Sequence, residues 1–346
     1  MLAGVIQLVL MTLLAAHLLM ANIATGGPFI CVWLQRKSAQ GSAVAARLNR
    51  QMAGWSVVTL LFAAVTGLMQ MTMVMQVYPG VFHSTVALVK ASKYKASIAE
   101  IVFSLVCYLA YYILAKQGLA KATKGKRILA ATLALVSGLN TAWHFPTLFA
   151  LLGVFSTRPE VWANAQTFDV MKNIFDGEVL ALSTHFLLAS AAVSGLMLAT
   201  LALLVAELTK VDEARRYARA GGLIAVVPTV LQLIVGVWLL METDELARPL
   251  LMGRSTQATV IFLLAIITAL MLMHRLASLA LGRQKANGLR NAWMTLATTV
   301  WLMCAVQQLM RDHLYRVKAP QPVPAAEAPP AIEAPPAVAK PEAKPQ

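Results

Sequence analysis

The chain has 346 residues, 59% of them A, V, I, L, M, F, W, Y or C and only 13% charged, about half the charged fraction of soluble domains, which argues against a water-soluble enzyme. A net charge of +14 would suggest nucleic acid as the partner of a soluble domain, but the basic residues here sit in loops between apolar runs, where membrane topology accounts for them and no nucleic acid is needed. Cys31, Cys107 and Cys304 lie inside those runs with no C-x-x-C spacing, which excludes covalent c-type haem, a thiolate zinc site and a disulfide framework.

In chain order the apolar runs fall near residues 4–33, 54–76, 98–115, 128–155, 179–206, 218–241, 257–274 and 292–310. Each approaches or exceeds the roughly 20 residues that cross a bilayer core, so the pattern predicts an all-α membrane bundle of eight transmembrane helices over residues 1–315. The first run has no basic segment before it and is followed by Arg36-Lys37, the polarity of an N-out helix that stays attached and not of a secretory signal. The loop between the fourth and fifth runs, STRPEVWANAQTFDVMKNIFDGE, is the longest external connection and has an acidic excess, and Trp162 and Phe168 suggest an interfacial helix within it. Such a segment either packs on the membrane surface or docks a basic soluble partner. Beyond Tyr315 the sequence reduces almost to Pro, Ala, Glu and Lys, so residues 316–346 are expected to form an extended, disordered external tail.

Charge orients the bundle. The loops after the odd-numbered helices hold seventeen Lys and Arg, for example Arg36, Lys37, Arg47 and Arg50 after the first, and those after the even-numbered helices hold seven. The bias places the odd loops in the cytoplasm and both termini outside a bacterial-type cytoplasmic membrane.

That orientation gathers the ionisable residues of the spans into one leaflet. His17 lies in the outer half of the first helix, Glu100 near the outer entry of the third, His144 in the outer half of the fourth within Trp143-His144-Phe145-Pro146, and His185 two turns into the fifth; His83 falls in the external loop before the third helix. Each is costly in hydrocarbon, so a partner or ligand is expected for each. An imidazole in such a place suits haem iron through one nitrogen, with the other held by a carbonyl or carboxylate. Histidines that only bond neighbouring helices are the alternative. Zinc is disfavoured because no two histidines stand at ligand spacing, and the missing H-E-x-x-H, G-x-S-x-G and paired aspartates remove the common intramembrane hydrolases. Pro146 frees a carbonyl in the fourth helix and would open space beside Trp143 and His144. His274 and His313 read as interfacial residues.

Several of these residues resemble subunit I of the cytochrome bd-type quinol oxidases. The resemblance covers roughly residues 1–240 and rests on His17-Leu-Leu-Met-Ala-Asn-Ile-Ala-Thr-Gly26, Phe62-Ala-Ala-Val-Thr-Gly67, Ala96-Ser-Ile-Ala-Glu100, Ser137-Gly-Leu-Asn140-Thr-Ala-Trp143, and His185 followed by Ala189-Ser-Ala-Ala-Val-Ser-Gly195. It implies haem b as cofactor, one or two copies with a further high-spin haem, His17 as axial ligand of the high-spin haem, Glu100 as the carboxylate beside it, and His185 as ligand of a low-spin haem. His144 has no counterpart and stands as a candidate ligand on its own. The chain departs from the family in three places: Glu242 to Arg254 is too short for the quinol loop, no Arg-x-Met stands in Ser255 to His274, and Cys107-Tyr108 occupies the place of a second glutamate. The sequence therefore predicts a shortened relative that transfers electrons beside other membrane subunits, fed by a periplasmic c-type cytochrome or a neighbouring subunit and not by quinol at that loop. A haem-free scaffold or transporter subunit is the competing reading.

Overall fold

The computed structural model describes residues 2–318 apart from 90, 163, 210, 211, 284 and 285. Among these the chain forms α1 (Leu2–Ala39), α2 (Ala43–Val77), α3 (Pro79–Ala87), α4 (Ala91–Lys116), α5 (Lys124–Phe155), α6 (Pro159–Trp162), α7 (Val170–Asn173), α8 (Gly177–Thr209), α9 (Asp212–Glu242), α10 (Thr256–Ala280) and α11 (Ala286–Lys318). Seven of them, α1, α2, α4, α5, α8, α9 and α10, are long and apolar enough to cross a membrane. Most outrun their apolar stretch: α2 has 35 residues, a length of about 52 Å against a hydrocarbon core of about 30 Å, so its first turns with Arg47 and Arg50 extend beyond the lipid tails. Caps set these ends. Ser42 Oγ accepts from the Ala45 N–H to start α2, Ser255 Oγ does the same for Ala258 at α10, and Gly41, at φ 100°, supplies the left-handed turn that lets α1 reverse into α2.

The eighth run forms α11, a helix of 33 residues whose end carries Gln307, Gln308, Arg311 and Asp312 among the apolar residues, and it packs along α1 and α10. It extends through Arg316, Val317 and Lys318, so the helix ends three residues later than the sequence predicts. The Pro/Ala-rich segment 319–346, expected to be disordered, lies outside the described residues. Two further differences occur at the end of the bundle where α1 starts. The connection before α4, read as a loop, contains α3, started by Pro79 at its first turn. The expected interfacial helix of the long loop is broken into α6, a 3-10 turn (Ala165–Thr167) and α7, because Pro159 starts one piece and the Asp169 carboxylate caps another through the Met171 and Lys172 N–H groups. Phe155, Phe168 and Trp162 hold these pieces together: the two phenylalanine rings meet edge to face at 5.0 Å, and the Trp162 indole donates to the Phe155 carbonyl at 2.9 Å.

Helix α8 is the central post. Most of its length is buried, with contacts to α1, α2, α5 and α9, while large apolar side chains such as Val58, Leu61, Phe62, Val65 and Leu68 on α2 face outward, as lipid contact requires. α8 and α9 approach at backbone distance: a Cβ built on Gly195 would stand 2.7 Å from the Ala225 nitrogen and 2.8 Å from the Gly221 oxygen. α1 and α8 run parallel. Ser190 Oγ donates to Asn22 Oδ1 at 2.8 Å and Ser194 packs on Gly26, so both partners advance together, and just beyond their C-terminal ends Ser42 Oγ donates to Glu213 Oε1 at 2.6 Å.

At the opposite end α11 is tied down by polar contacts. Gln7 Nε2 donates to the Tyr78 hydroxyl at 2.6 Å, that hydroxyl donates to Asp312 Oδ1 at 2.6 Å, Gln308 Nε2 reaches both, and Lys318 Nζ bonds Asp244. Burial and the Asp312 carboxylate push the Tyr78 phenol up to about 12, so the hydroxyl remains a donor at any physiological pH. Burial alone would raise Asp244, but Lys318 and the Leu246 N–H hold it below the ordinary carboxylate range. A depressed folded-state value stabilises above the unfolded pKa and is lost as pH falls through the folded one. The thermal midpoint of the wild type should therefore fall between pH 5 and pH 3 by more than that of Asp244→Asn, and parallel curves would rule the pair out as an acid-sensitive latch.

Candidate functional site

The polar residues in the half of the bundle that holds the start of α1 occupy a common level. His17 precedes Asn22 by five residues and His185 precedes Ser190 by five, so in the parallel α1 and α8 pair both histidines stand about 7 Å outward of the Asn22–Ser190 bond. Tyr108 on α4 donates to the Ala24 carbonyl at 2.6 Å and meets Thr141 of α5 at 3.1 Å. Glu100, two turns before Tyr108, is about 12 Å outward of that contact and His17 about 10 Å outward of Ala24, which brings the carboxylate to the histidine level.

At that level the side chains turn to three different neighbours. His17 Nδ1 lies 2.8 Å from the Ala63 carbonyl and 3.4 Å from Thr66 Oγ1 on α2. A carbonyl only accepts, so Nδ1 carries the proton and Nε2 carries the lone pair. Gly67 makes the fit possible, since a Cβ there would stand 2.8 Å from His17 Cε1. Ala63, Thr66 and Gly67 share one face of α2 by their spacing, so the motif Ala63-Ala-Val-Thr-Gly67 is a seat for this imidazole.

His185 turns to α9 instead. Gln232 Nε2 stands 3.4 Å from His185 Nε2 and donates to the His185 carbonyl at 3.3 Å, while His185 Nδ1 is buried with no hydrogen-bond partner. Because the Gln232 amide nitrogen also donates to the carbonyl, the amide stands as placed, so Nε2 accepts and Nδ1–H is an unpaired buried donor. Gln232 was legible as a lone polar residue in the run Val230-Leu-Gln-Leu-Ile, but glutamine does not carry the charge that draws attention to a span.

Glu100 and His144 meet in a third place, between α4 and α5, with Oε1 and Nδ1 3.1 Å apart. His144 is half exposed and Glu100 about a quarter exposed, so the pair lies toward the outside of the bundle, and Trp143 points outward as well. Behind the pair Asn140 Nδ2 donates to the Glu100 carbonyl at 3.1 Å and to Ser104 Oγ at 2.8 Å. Pro146 is buried inside α5, which continues to Phe155. His83 lies on α3, exposed, with its ring against Phe82. Cys107-Tyr108, which departs from the family pattern, serves packing: Cys107 is buried and Tyr108 ties α4 to α1 and α5.

Below this belt lies a void of about 10 Å³ lined by Pro28, Cys31, Ala53, Ser56, Tyr108, Tyr111 and Ala134, with room for about one water. Tyr111 donates from its edge to Asn49 Oδ1 at 2.9 Å. The acidic outer loop is partly neutralised within the chain. Arg158 bonds Asp176 at 2.8 Å and Glu178 at 3.1 Å, which leaves Glu160 and Asp169 among its exposed acids.

No protein-family model matches this chain, and no curated protein matches it. At two separate places of this level a histidine ring nitrogen is left over by the chain's own contacts. His17 has the tautomer a metal ligand needs, with Nδ1–H fixed by a carbonyl and Nε2 left over, and His185 offers an orphaned buried nitrogen.

Proposed function

We propose that the chain is a membrane-integral b-type haem protein that carries electrons within a respiratory complex, a shortened relative of the cytochrome bd oxidase large subunit. The observation that supports it most is the His17 seat: a carbonyl that fixes Nδ1–H and a glycine that makes room for the ring, in the outer half of the bundle. A bound haem supplies one-electron chemistry through its iron. The chain's own residues hold and tune it. His17 would ligate through Nε2, His185 would be the second ligand beside Gln232, and Glu100 with His144 would supply a carboxylate at the same level. The connection from Thr243 to Ser255 is short, so the electron donor is a periplasmic c-type cytochrome or a neighbouring membrane subunit, and the chain acts as one oxidoreductase subunit of an assembly.

In this reading α11 is an eighth span and both termini face outward. A reporter active only in the cytoplasm, fused after Arg316, should be silent, and activity there would overturn the orientation. The haem reading is tested by a reduced-minus-oxidised spectrum of the purified protein with pyridine-haemochrome typing: a b-type Soret and α band are expected, and a featureless spectrum favours the haem-free scaffold. The Glu100–His144–Asn140–Ser104 cluster, whose members satisfy one another, is what such a scaffold would use.

Glu100→Gln keeps the shape and one acceptor for His144 but removes the charge. If the carboxylate serves the haem at His17, redox titration of this variant should give a shifted midpoint at unchanged haem content. A curve that superimposes on wild type would remove Glu100 from the site and leave it as a helix-joining residue.

A further inference from the structure

The segment that enters α8 and the segment that leaves α9 lie side by side at the margin of the spans, which begin and end there at Gly177 and Glu242. A Cβ built on Gly177 would collide with the Glu242 carboxylate. Arg158 bonds Asp176 and Glu178 and acts electrostatically on Asp244, which Lys318 also holds. Residues 156–176 and 243–249, with Glu242, therefore share one surface. Its apolar side chains divide into two groups: Phe155, Trp162, Phe168 and Ile174 pack together, while Phe175 is 64% exposed, Met171 59% and Leu246 41%. Exposed apolar side chains gathered outside the spans mark a contact, either with the membrane surface or with another protein.

Charge decides between the two. The cations of this surface are largely taken up within the chain: Arg158 by Asp176 and Glu178, Lys318 by Asp244, and Arg248 by the Met241 and Thr243 carbonyls. Glu160, Asp169, Glu242 and Glu245 are exposed, and Lys172 is the exposed cation that these two segments set against them. A bilayer surface with anionic headgroups repels such a rim, whereas a soluble protein with a basic contact face is drawn to it. An apolar centre inside a charged rim is also how protein interfaces are built.

We propose that this surface docks a basic soluble c-type cytochrome, with Phe175, Met171 and Leu246 under the centre of the contact and Glu160, Asp169, Glu242 and Glu245 on its rim. The place suits an electron donor, because α8 starts at this surface and His185 lies eight residues along it from Gly177, a rise of about 12 Å. The choice of a cytochrome as occupant rests on the electron-transfer reading. The contact itself needs no haem in this chain, so the two can fail separately.

Thiol protection in the full chain tests the surface. Cys31, Cys107 and Cys304 are buried, so a charged maleimide should report Met171→Cys alone. In phosphatidylcholine nanodiscs at low salt that variant should react readily, and a basic c-type cytochrome should slow the reaction at least fivefold, while lysozyme, basic but without haem, should slow it far less. Adding Glu160→Gln with Glu245→Gln should raise the cytochrome concentration needed for half protection about fivefold, and Phe175→Ser should raise it by about as much. These three residues are exposed, so the variants should fold, and Glu207→Gln at the C-terminal end of α8 should change nothing. A thiol that reacts in detergent but not in nanodiscs lies against lipid and overturns the surface. So does an absence of slowing by the cytochrome, equal slowing by lysozyme, or an unchanged concentration dependence in either variant. Protection in a preparation whose spectrum shows no haem keeps the surface and removes the electron-transfer reading; a haem spectrum without protection does the reverse.

Discussion

Replacing His17 by alanine should remove one haem signal from the spectrum of the purified protein while the chain remains in the membrane at normal level. The loss follows from the tautomer. Ala63 fixes Nδ1–H, so the only ring nitrogen able to bind iron is Nε2, and no neighbouring histidine on α1 or α2 replaces it. Gly67→Val should have nearly the same effect without touching the ligand. Its Cβ would stand 2.8 Å from His17 Cε1, so the ring must leave the Ala63 carbonyl, and removal of such a ligand-orienting contact costs about 10- to 100-fold in affinity. His185→Ala should remove a different, low-spin signal, since His185 turns to α9 and not to α2. If the double variant His17→Ala with His185→Ala keeps the wild-type spectrum, neither histidine is a ligand and the electron-transfer reading fails with them.

The largest effect on folding is expected at the α8–α9 seam. Gly221→Leu places a Cβ 2.6 Å from the Ala199 nitrogen and 2.7 Å from the Gly195 oxygen, both backbone atoms that no rotamer change can move. Overpacking in a close-packed interior usually costs about 1–3 kcal/mol, and a clash with two backbone groups of α8 should reach or exceed the upper figure. Because α8 is the post on which α1, α5 and α9 pack, separation at this seam should lower the yield of monodisperse protein and the thermal midpoint together. Gly236→Leu serves as the control: it lies in the same helix with open space around its Cβ position and should behave as wild type.

The long helices were legible because a span is written in composition: runs of about 20 apolar residues between basic turns leave little choice of structure. Their ends were less legible, since α2 begins eleven residues before its apolar run, in a segment that carries Arg47 and Arg50. Broken structure outside the bilayer was the least legible. Nothing in the hydropathy of Pro79–Ala87 distinguishes α3 from a loop, and the pieces α6 and α7 depend on local caps and on Phe155 far back in the sequence. For the site, the shared level of His17, Glu100, His144 and His185 follows from counting turns, and the structure agrees with that count. Which residues meet does not follow from counting. The pairing of Glu100 with His144 requires the rotation of α4 against α5, and the partnership of His185 with Gln232 requires that of α8 against α9, both set by packing along the whole helix.

The contacts of α11 bear on how the protein is made. This helix follows the other described helices in the chain, yet it holds α1: Trp301 Nε1 donates to Thr12 Oγ1, and Gln308 and Asp312 join Gln7 through Tyr78. During synthesis the Tyr78 hydroxyl that Gln7 reaches therefore lacks its Asp312 acceptor, and Thr12 its Trp301 donor, until α11 arrives. A chain released before Ala286 would leave these groups without those partners, and its half-life, more than its helix content, should report whether α11 has docked.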